Sequence, residues 1–233
     1  ERMDYCPTLA GVDTFDKPGC PDTDGDGWSD VTDDFINNPT QWEDSDSDGY
    51  GDNNSEGATQ GDDLPFDSTQ YQDRDGDGWG DFDEGNNPDA FPDDPTQQVD
   101  SDGDGYGDNL SGVNGDACPD TWGDSWRDVL GCPDVDGDGT SDDGDMFPSD
   151  WSQWQDSDND GLGDNWANPH WNDTRESHWP GEFLPGATNA DKHPLDRDGD
   201  GWEDENSSGG VEPWDDCPDE PGQSWQDRFG CPD

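Results

Sequence analysis

Residues 22–33 read DTDGDGWSDVTD, and this short stretch decides what kind of fold the chain can have. Acidic residues stand at positions 1, 3, 5, 9 and 12 of the stretch, and a glycine stands at position 6. Alternating aspartates can bring several carboxylates to one hard cation, and the glycine allows the sharp turn that presents the backbone carbonyl of position 7. The spacing is that of the calcium-binding loop of an EF-hand.

Seven segments of the chain share this pattern, and we call them loops one to seven. They begin at Asp22, Asp44, Asp73, Asp100, Asp134, Asp156 and Asp196. Oxygen-only ligands in flexible loops favour calcium over zinc, copper or magnesium. The predicted calcium ligands at positions 1, 3, 5, 7 and 9 are Asp22, Asp24, Asp26, Trp28, Asp30, Asp44, Asp46, Asp48, Tyr50, Asp52, Asp73, Asp75, Asp77, Trp79, Asp81, Asp100, Asp102, Asp104, Tyr106, Asp108, Asp134, Asp136, Asp138, Thr140, Asp142, Asp156, Asp158, Asp160, Leu162, Asp164, Asp196, Asp198, Asp200, Trp202 and Asp204.

Position 12 divides the loops into two groups. In loops one, three and five this position is an acid, which is Asp33, Glu84 or Asp145. Loops two, four, six and seven have serine or alanine there. The sequence therefore predicts a position-12 ligand in three loops. It also predicts two loop types, an odd one with an acid at position 12 and an even one that reads DSDxDGYGDN.

The charge of the chain argues against most other classes of protein. It has 64 acidic and 8 basic residues, a formal charge of −56, and 24% apolar residues, a composition typical of disorder. An ordinary enzyme core, a nucleic-acid surface and binding to anionic lipid are all disfavoured, as is membrane insertion. The 13 tryptophans contradict simple disorder, so we expect bound multivalent cations to supply the missing positive charge.

The segments between the loops do not look like the helices of an EF-hand. Residues 35–42 (FINNPTQW), 90–99 (AFPDDPTQQV) and 146–155 (MFPSDWSQWQ) contain proline, asparagine or aspartate and show no helical periodicity. Each has an aromatic residue or methionine at its first or second position and a glutamine shortly before the next loop. We therefore expect mostly irregular coil with little helix or strand.

The sequence resembles the thrombospondin type 3 repeats, in the form found in prokaryotic surface proteins, over nearly its whole length. The matching pieces are CPDTDGDGWSD from Cys20, NNPTQWEDSDSDGYGD from Asn37 and CPDVDGDG from Cys132. The resemblance implies an extended tandem-repeat rod stabilised by about 7 to 14 calcium ions, one or two for each loop. Most linkers lack the cysteine of the animal repeats, and a long insertion follows loop six.

Six cysteines form three pairs of equal spacing. Residues 116–134 (DACPDTWGDSWRDVLGCPD) and 215–233 (DDCPDEPGQSWQDRFGCPD) align without a gap. We predict the local disulfides Cys6–Cys20, Cys118–Cys132 and Cys217–Cys231, each worth about 3 kcal/mol in the loop-entropy model. Such bonds imply an oxidising, extracellular or cell-surface location. The alternative is zinc binding, which the absence of a CxxC spacing disfavours.

Other residues carry secondary predictions. Candidate glycosylation sites are Asn53, Asn109, Asn172 and Asn206. Asp233 aligns with the first ligand of loops one and five, which leaves two interpretations. Either the chain is cut from a longer array, or Asp233 meets Glu1 and Asp4 of the next subunit around a shared cation.

The aromatic residues allow two interpretations as well. The side chains at position 7 include Trp28, Trp79, Trp202, Tyr50, Tyr106 and Leu162, and we expect them to pack on the linkers. The alternative is a platform for sugar or protein, and its best candidate is the insertion with Trp166, Trp171, Trp179 and Phe183. We expect His170, His178 and His193 to be solvated or hydrogen-bonded, and we identify no catalytic residue.

These observations predict seven segments and one main function. The segments are a first disulfide unit (1–21), four loops (22–114), a second disulfide unit (115–133), a loop pair (134–165), the aromatic insertion (166–195), loop seven (196–214) and a third disulfide unit (215–233). We expect an extracellular calcium-binding structural protein without enzymatic activity, forming a head-to-tail filament or contributing to a surface stalk or adhesin. The alternative is a calcium-dependent adhesion module that binds carbohydrate or protein through the insertion.

Overall fold

The computed structural model describes residues 3–11, 15–204, 214–225 and 228–232. Three residues with predicted roles, Glu1, Asn206 and Asp233, lie outside these ranges. Regular secondary structure in the described residues consists of one 3₁₀ helix, Trp171–Asp173, and the two strands β1 (Glu203–Asp204) and β2 (Trp214–Asp215). The strands are parallel, with Glu203 opposite Trp214. The prediction of a mostly irregular chain is confirmed.

The three predicted disulfides are confirmed. Cys6 bonds to Cys20, Cys118 to Cys132 and Cys217 to Cys231, each across a sequence separation of 14. All six cysteines are used in this way, so no thiolate is left to bind zinc. The bonds indicate an oxidising, extracellular environment.

The chain forms two compact units. The first reaches Ser101 and includes Gly107–Gly115, and the second contains Asp102–Tyr106 and continues from Asp116. Loop four is divided between them. The part of the chain that the structure describes contains no helix with the length and apolar character needed to span a membrane.

The interior of this protein is polar. Among the described residues, the buried apolar side chains include three disulfide cysteines and Leu195, whereas twelve aspartates are buried. Buried carboxylates are costly unless a cation or hydrogen-bond donors compensate their charge. The hydrophobic effect alone therefore cannot account for the order of this chain.

Each loop is closed by contacts of its position-9 aspartate. The backbone N–H of position 9 donates to the carbonyl of the residue just before position 1 in all seven loops, over 2.7 to 2.9 Å. Its carboxylate accepts the N–H of position 2, for example from Thr23 to Asp30 (2.7 Å) and from Val135 to Asp142 (2.9 Å). Loops one, two, four and six add a serine or threonine hydroxyl from position 2. The position-9 aspartate thus links the end of each loop to its beginning.

Candidate metal centres

The aspartates at positions 1, 3 and 5 converge within their loops. In loops one, two, three and five, carboxylate oxygens of the three residues lie within 4.8 Å of one another. These triplets are Asp22, Asp24 and Asp26; Asp44, Asp46 and Asp48; Asp73, Asp75 and Asp77; and Asp134, Asp136 and Asp138. The clusters can hold metal ions, which is consistent with the predicted calcium binding.

Local backbone geometry brings the triplet together. In loop three, the carboxylate of Asp73 accepts the N–H groups of Gly76 (2.7 Å) and Gly78 (2.8 Å), and both glycines have positive φ. Asp75 accepts the N–H of Asp77 over 3.2 Å through one oxygen. The turn conformation that only glycine adopts freely therefore points the three carboxylates to a common centre.

The second oxygen of each position-3 aspartate provides a test of whether a cation fits. In all seven loops this Oδ2 atom is buried and has no hydrogen-bond partner among the described residues. The seven side chains are Asp24, Asp46, Asp75, Asp102, Asp136, Asp158 and Asp198. A buried oxygen without a donor costs free energy, and a bound cation would compensate it. The donor set therefore fits a hard divalent ion.

A further buried aspartate, which we call the closing aspartate, accompanies every loop. The seven are Asp33, Asp62, Asp89, Asp116, Asp145, Asp191 and Asp215, all at most 8% exposed. In each, one carboxylate oxygen accepts the N–H of the residue two positions later, over 2.6 to 2.8 Å. This contact uses only one of the two carboxylate oxygens.

The closing aspartate occupies the same place whether it is near its loop in sequence or far from it. In loops one and five it is position 12 itself, and its N–H donates to the carbonyl of position 8, Ser29 or Ser141, over 2.9 Å. In loop two, Asp62 makes the same bond to Gly51 (2.9 Å), and in loop six Asp191 makes it to Gly163 (2.7 Å). One backbone contact therefore defines the site regardless of the number of intervening residues.

Electrostatics place the closing aspartates beside their triplets. Burial, together with the smaller repulsion by the carboxylates at positions 3 and 5 of the same loop, raises the pKa of Asp62, Asp89 and Asp145 to about 6. Burial and the charge of Asp160 likewise raise the pKa of Asp191, to about 7. A bound cation would relieve repulsion of this kind.

Five of the closing aspartates were missed in the sequence analysis. For loop three it proposed Glu84, whose side chain is exposed, while Asp89 is 3% exposed and repulsed by Asp75 and Asp77. In loops two, four, six and seven, position 12 is serine or alanine, so no closing acid was predicted. A signal for them was present near the start of the linkers. Each closing aspartate stands two residues before an aromatic, aliphatic or cysteine residue, or in one case a histidine.

Three of the position-7 side chains contact neighbouring rings, whereas Leu162 is exposed. Trp28 stacks on Trp42 at a centroid distance of 6.1 Å, and Tyr50 stacks on Tyr71 at 3.9 Å. Trp202 contacts a phenylalanine of the third disulfide unit at 4.9 Å. These contacts join loops to linkers, as expected for packing aromatics.

The insertion after loop six packs around Arg175. Its guanidinium lies 4.1 Å from the ring centre of Trp166 and 5.6 Å from that of Trp179. It donates to the backbone carbonyls of Asp164 (3.2 Å) and Asp191 (3.0 Å). Because Asp164 is position 9 and Asp191 is the closing aspartate, the arginine joins the insertion to the site of loop six.

The other aromatic and histidine side chains of the insertion are also engaged. Trp166 contacts Phe183 at 6.5 Å, and the Trp179 indole donates to Glu203 over 2.6 Å. His178 Nε2 lies 2.9 Å from the same carboxylate. Burial lowers the pKa of His193. These contacts join rings of the insertion to one another and to Glu203 of loop seven.

The remaining candidate residues have defined surroundings. The side-chain nitrogens of Asn53 and Asn109 donate to backbone carbonyls over 2.8 Å, and Asn172 accepts the indole N–H of Trp166 over 2.6 Å. Glycosylation stays a prediction for these residues. Asp4 accepts the N–H of Cys6 over 2.9 Å, the contact that characterises a closing aspartate.

Comparison with known proteins adds no relative. No protein-family model matches the sequence, and no curated protein is significantly similar to it. The repeated aspartate triplets are consistent with a DxDxD calcium-binding repeat.

Proposed function

We propose that this protein is an extracellular structural protein of the thrombospondin type 3 kind, in which calcium turns a repulsive polyanion into an ordered chain. The observation that carries the proposal is the set of seven buried position-3 oxygens without a hydrogen-bond donor. Each lies in a loop with several converging carboxylates, and calcium is the hard cation that such oxygen-rich, flexible loops prefer. Ion binding and folding are then coupled, as in small metal-dependent domains.

The fold supports a structural rather than a catalytic role. Its buried groups are carboxylates, glutamines and disulfides arranged in repeats, and the same contacts recur from loop to loop. Repeats of this kind are stabilised by interactions within themselves and with their neighbours. We propose that the chain serves as a stiff element of a fibre, stalk or adhesin outside the cell.

Assembly with further copies of the chain is part of the proposal. Asp4 accepts the N–H of Cys6, which is the local contact of a closing aspartate. We propose that Asp4 of one copy completes a site whose other ligands come from the next copy. Deleting this carboxylate should then act on assembly and leave the seven internal loops intact.

Calcium titration of the metal-free protein tests the first part of the proposal. We expect near-ultraviolet circular dichroism from the tryptophans to appear as calcium is added, with about 7 to 14 ions bound at saturation. Magnesium at the same concentration is the control and should produce a much weaker signal. A dichroism spectrum unchanged by chelation would contradict the calcium mechanism.

Electron microscopy and light scattering test the assembly. Fibres that form in calcium and dissolve in chelator are expected, and Asp4→Asn should shorten or abolish them without reducing the calcium-induced dichroism. If the saturated protein remains a monomer and its tryptophan fluorescence responds to a glycan, the adhesion-module alternative replaces the filament.

A further inference from the structure

Four linkers share a short motif that ends in an almost completely buried glutamine. It reads Asp or Asn, any residue, Thr or Ser, and Gln, and it ends three residues before the first aspartate of loops two, three, four and six. The four glutamines, which are at most 1% exposed, are Gln41, Gln70, Gln97 and Gln153. We call the Thr/Ser–Gln pair of this motif the clamp. A loop, together with the linker before it and the chain up to its closing aspartate, is called the repeat of the same number.

Each clamp holds both polar backbone atoms of one residue. In repeat three, the Thr69 hydroxyl accepts the N–H of Asn86 (2.7 Å), and the Gln70 side-chain nitrogen donates to the carbonyl of Asn86 (3.0 Å). The other clamps hold Thr59, Val113 and Thr188 in the same way. In every case the residue held stands three positions before the closing aspartate.

The glutamine also binds the other end of the spacer, the chain between position 9 and the closing aspartate. Gln70 donates to the carbonyl of Phe82 (2.9 Å) and accepts its N–H (2.9 Å), and Phe82 is position 10 of loop three. The equivalent bonds of the other three glutamines measure 2.8 to 3.0 Å. One side chain therefore joins the start of the spacer to its end.

Position 8 of the loop is adapted to this glutamine. It is glycine in the four clamped repeats, Gly51, Gly80, Gly107 and Gly163, and a Cβ on any of them would overlap the clamp glutamine. In loops one and five, which have no spacer beyond position 12, position 8 is serine and the clamp motif is absent from the sequence. The clamp and the position-8 glycine therefore occur together, each time with a long spacer. Loop seven also has a long spacer, up to Asp215, but it has Glu203 at position 8 and no clamp motif.

We propose that the clamp glutamines are positioning residues for the metal sites of repeats two, three, four and six. This inference rests on the calcium binding proposed above. The glutamine fixes the end of the spacer, the spacer end fixes the closing aspartate, and the closing carboxylate completes the cluster formed by the loop. The bonds are the same whether the spacer is short, from Asp81 to Asp89, or long, from Asp164 to Asp191.

Repeat three of the full-length chain offers a direct test. Gln70→Met keeps the length of the side chain and removes its hydrogen bonds. We expect the calcium affinity of this repeat, followed through hydrogen exchange of residues 73–81 during a calcium titration, to fall about 10- to 100-fold, as for other residues that orient metal ligands. Residues 82–89 should also exchange faster at saturating calcium.

Gly80→Ala approaches the same contact from the opposite side. The new Cβ would displace Gln70, so this variant should reproduce the loss of affinity. Gln72→Met is the matched control, because Gln72 is exposed and lies in the same segment. Unchanged exchange in loops one and five will show that each variant is folded.

The outcomes separate the clamp from the calcium proposal. Wild-type affinity in Gln70→Met and Gly80→Ala overturns the clamp, and so does faster exchange of residues 82–89 without any change in affinity. Asp75→Ala, which removes both the charge and the ligand oxygens of this side chain, should abolish calcium binding by repeat three. If it and chelation leave the protection of repeat three unchanged, the calcium proposal itself is wrong.

Discussion

Repeats one and five, which we call the short repeats, build the same cluster as the four clamped repeats by a different route. In repeat five the closing Asp145 follows position 9 after a single turn, and Asp128 of the preceding disulfide unit holds position 8 through two bonds to Ser141. In a clamped repeat a longer spacer separates position 9 from the closing aspartate. There a glutamine of the preceding linker makes the stabilising contacts that Asp128 makes in repeat five. A short repeat is thus held by a neighbouring unit that a disulfide cross-links, which we call covalent bracing. A clamped repeat is held by buried hydrogen bonds.

The difference shows what a site of this kind requires. It requires a backbone N–H bonded to the position-8 carbonyl and a carboxylate beside the triplet. It does not require a loop of twelve residues. Loop-closure entropy grows slowly with length, so a spacer as long as that of repeat six is tolerated when buried contacts hold its ends.

Removal of calcium should have the largest effect and should separate the two kinds of repeat. In excess chelator we expect amide protection in residues 40–62 and 69–89 to fall on the order of 100-fold or more, because only ion-coupled contacts hold them. Residues 118–145 should retain part of their protection, since the disulfide survives. Equal loss in both regions would contradict covalent bracing of the short repeats.

Breaking one disulfide should weaken a short repeat selectively. The double variant Cys118→Ser, Cys132→Ser should lose about 3 kcal/mol of stability in calcium, measured by urea denaturation. Hydrogen exchange should locate the loss in repeat five, because Asp128 lies inside the disulfide loop. Ser141→Ala, which removes one hydroxyl contact with Asp128, should cost about 1 kcal/mol and serves as the graded comparison.

Neutralising the closing aspartate should affect the two kinds of repeat to different extents. Asp145→Asn and Asp89→Asn should each lower the calcium affinity of their own repeat by about 10- to 100-fold, through loss of one ligand charge. In repeat three the spacer 82–88 should also exchange faster, whereas repeat five has no such spacer to release. An identical affinity in Asp89→Asn and wild type would mean that Asp89 is not part of the site.

Acid should act in opposite directions with and without calcium. The folded pKa of Asp62, Asp89 and Asp145 is about 6, above the ordinary 3.8, so the folded chain binds these protons more tightly than the unfolded chain does. Without metal, stability should therefore rise as the pH falls from about 6 to about 4. With calcium, apparent affinity should fall over the same range, because protons compete for the ligands. The near-ultraviolet dichroism of the metal-free protein at both pH values measures the first effect, and a calcium titration measures the second. A change of the same sign in both experiments would contradict these ionisations.

Much of the local structure could be predicted from residue spacing. Asp73, Asp75 and Asp77 were identified as a cluster because alternate positions and a following glycine leave the backbone few other arrangements. The disulfides could be predicted because the cysteine units align with one another. Packing of Trp28 and Tyr50 on the linkers was expected for a similar reason, since the loop carbonyl faces inward and the ring faces the linker.

The closing aspartates could not be identified in the same way. In loops one and five position 12 is the closing aspartate, but in loop three position 12 is the exposed Glu84 and the closing aspartate is the buried Asp89. The spacing of residues within a linker does not reveal how many residues separate position 9 from the closing aspartate. The glutamines were noticed as a recurring feature, but only their contacts show what they hold.

The sequence by itself determined the seven triplets, the irregular backbone and the three cross-links, because each depends on residues within one turn or one repeated unit. The tertiary structure decided which carboxylate completes each triplet. That choice depends on hydrogen bonds between a linker, a glycine and the end of a spacer. These groups are distant in sequence and come together only in the folded chain.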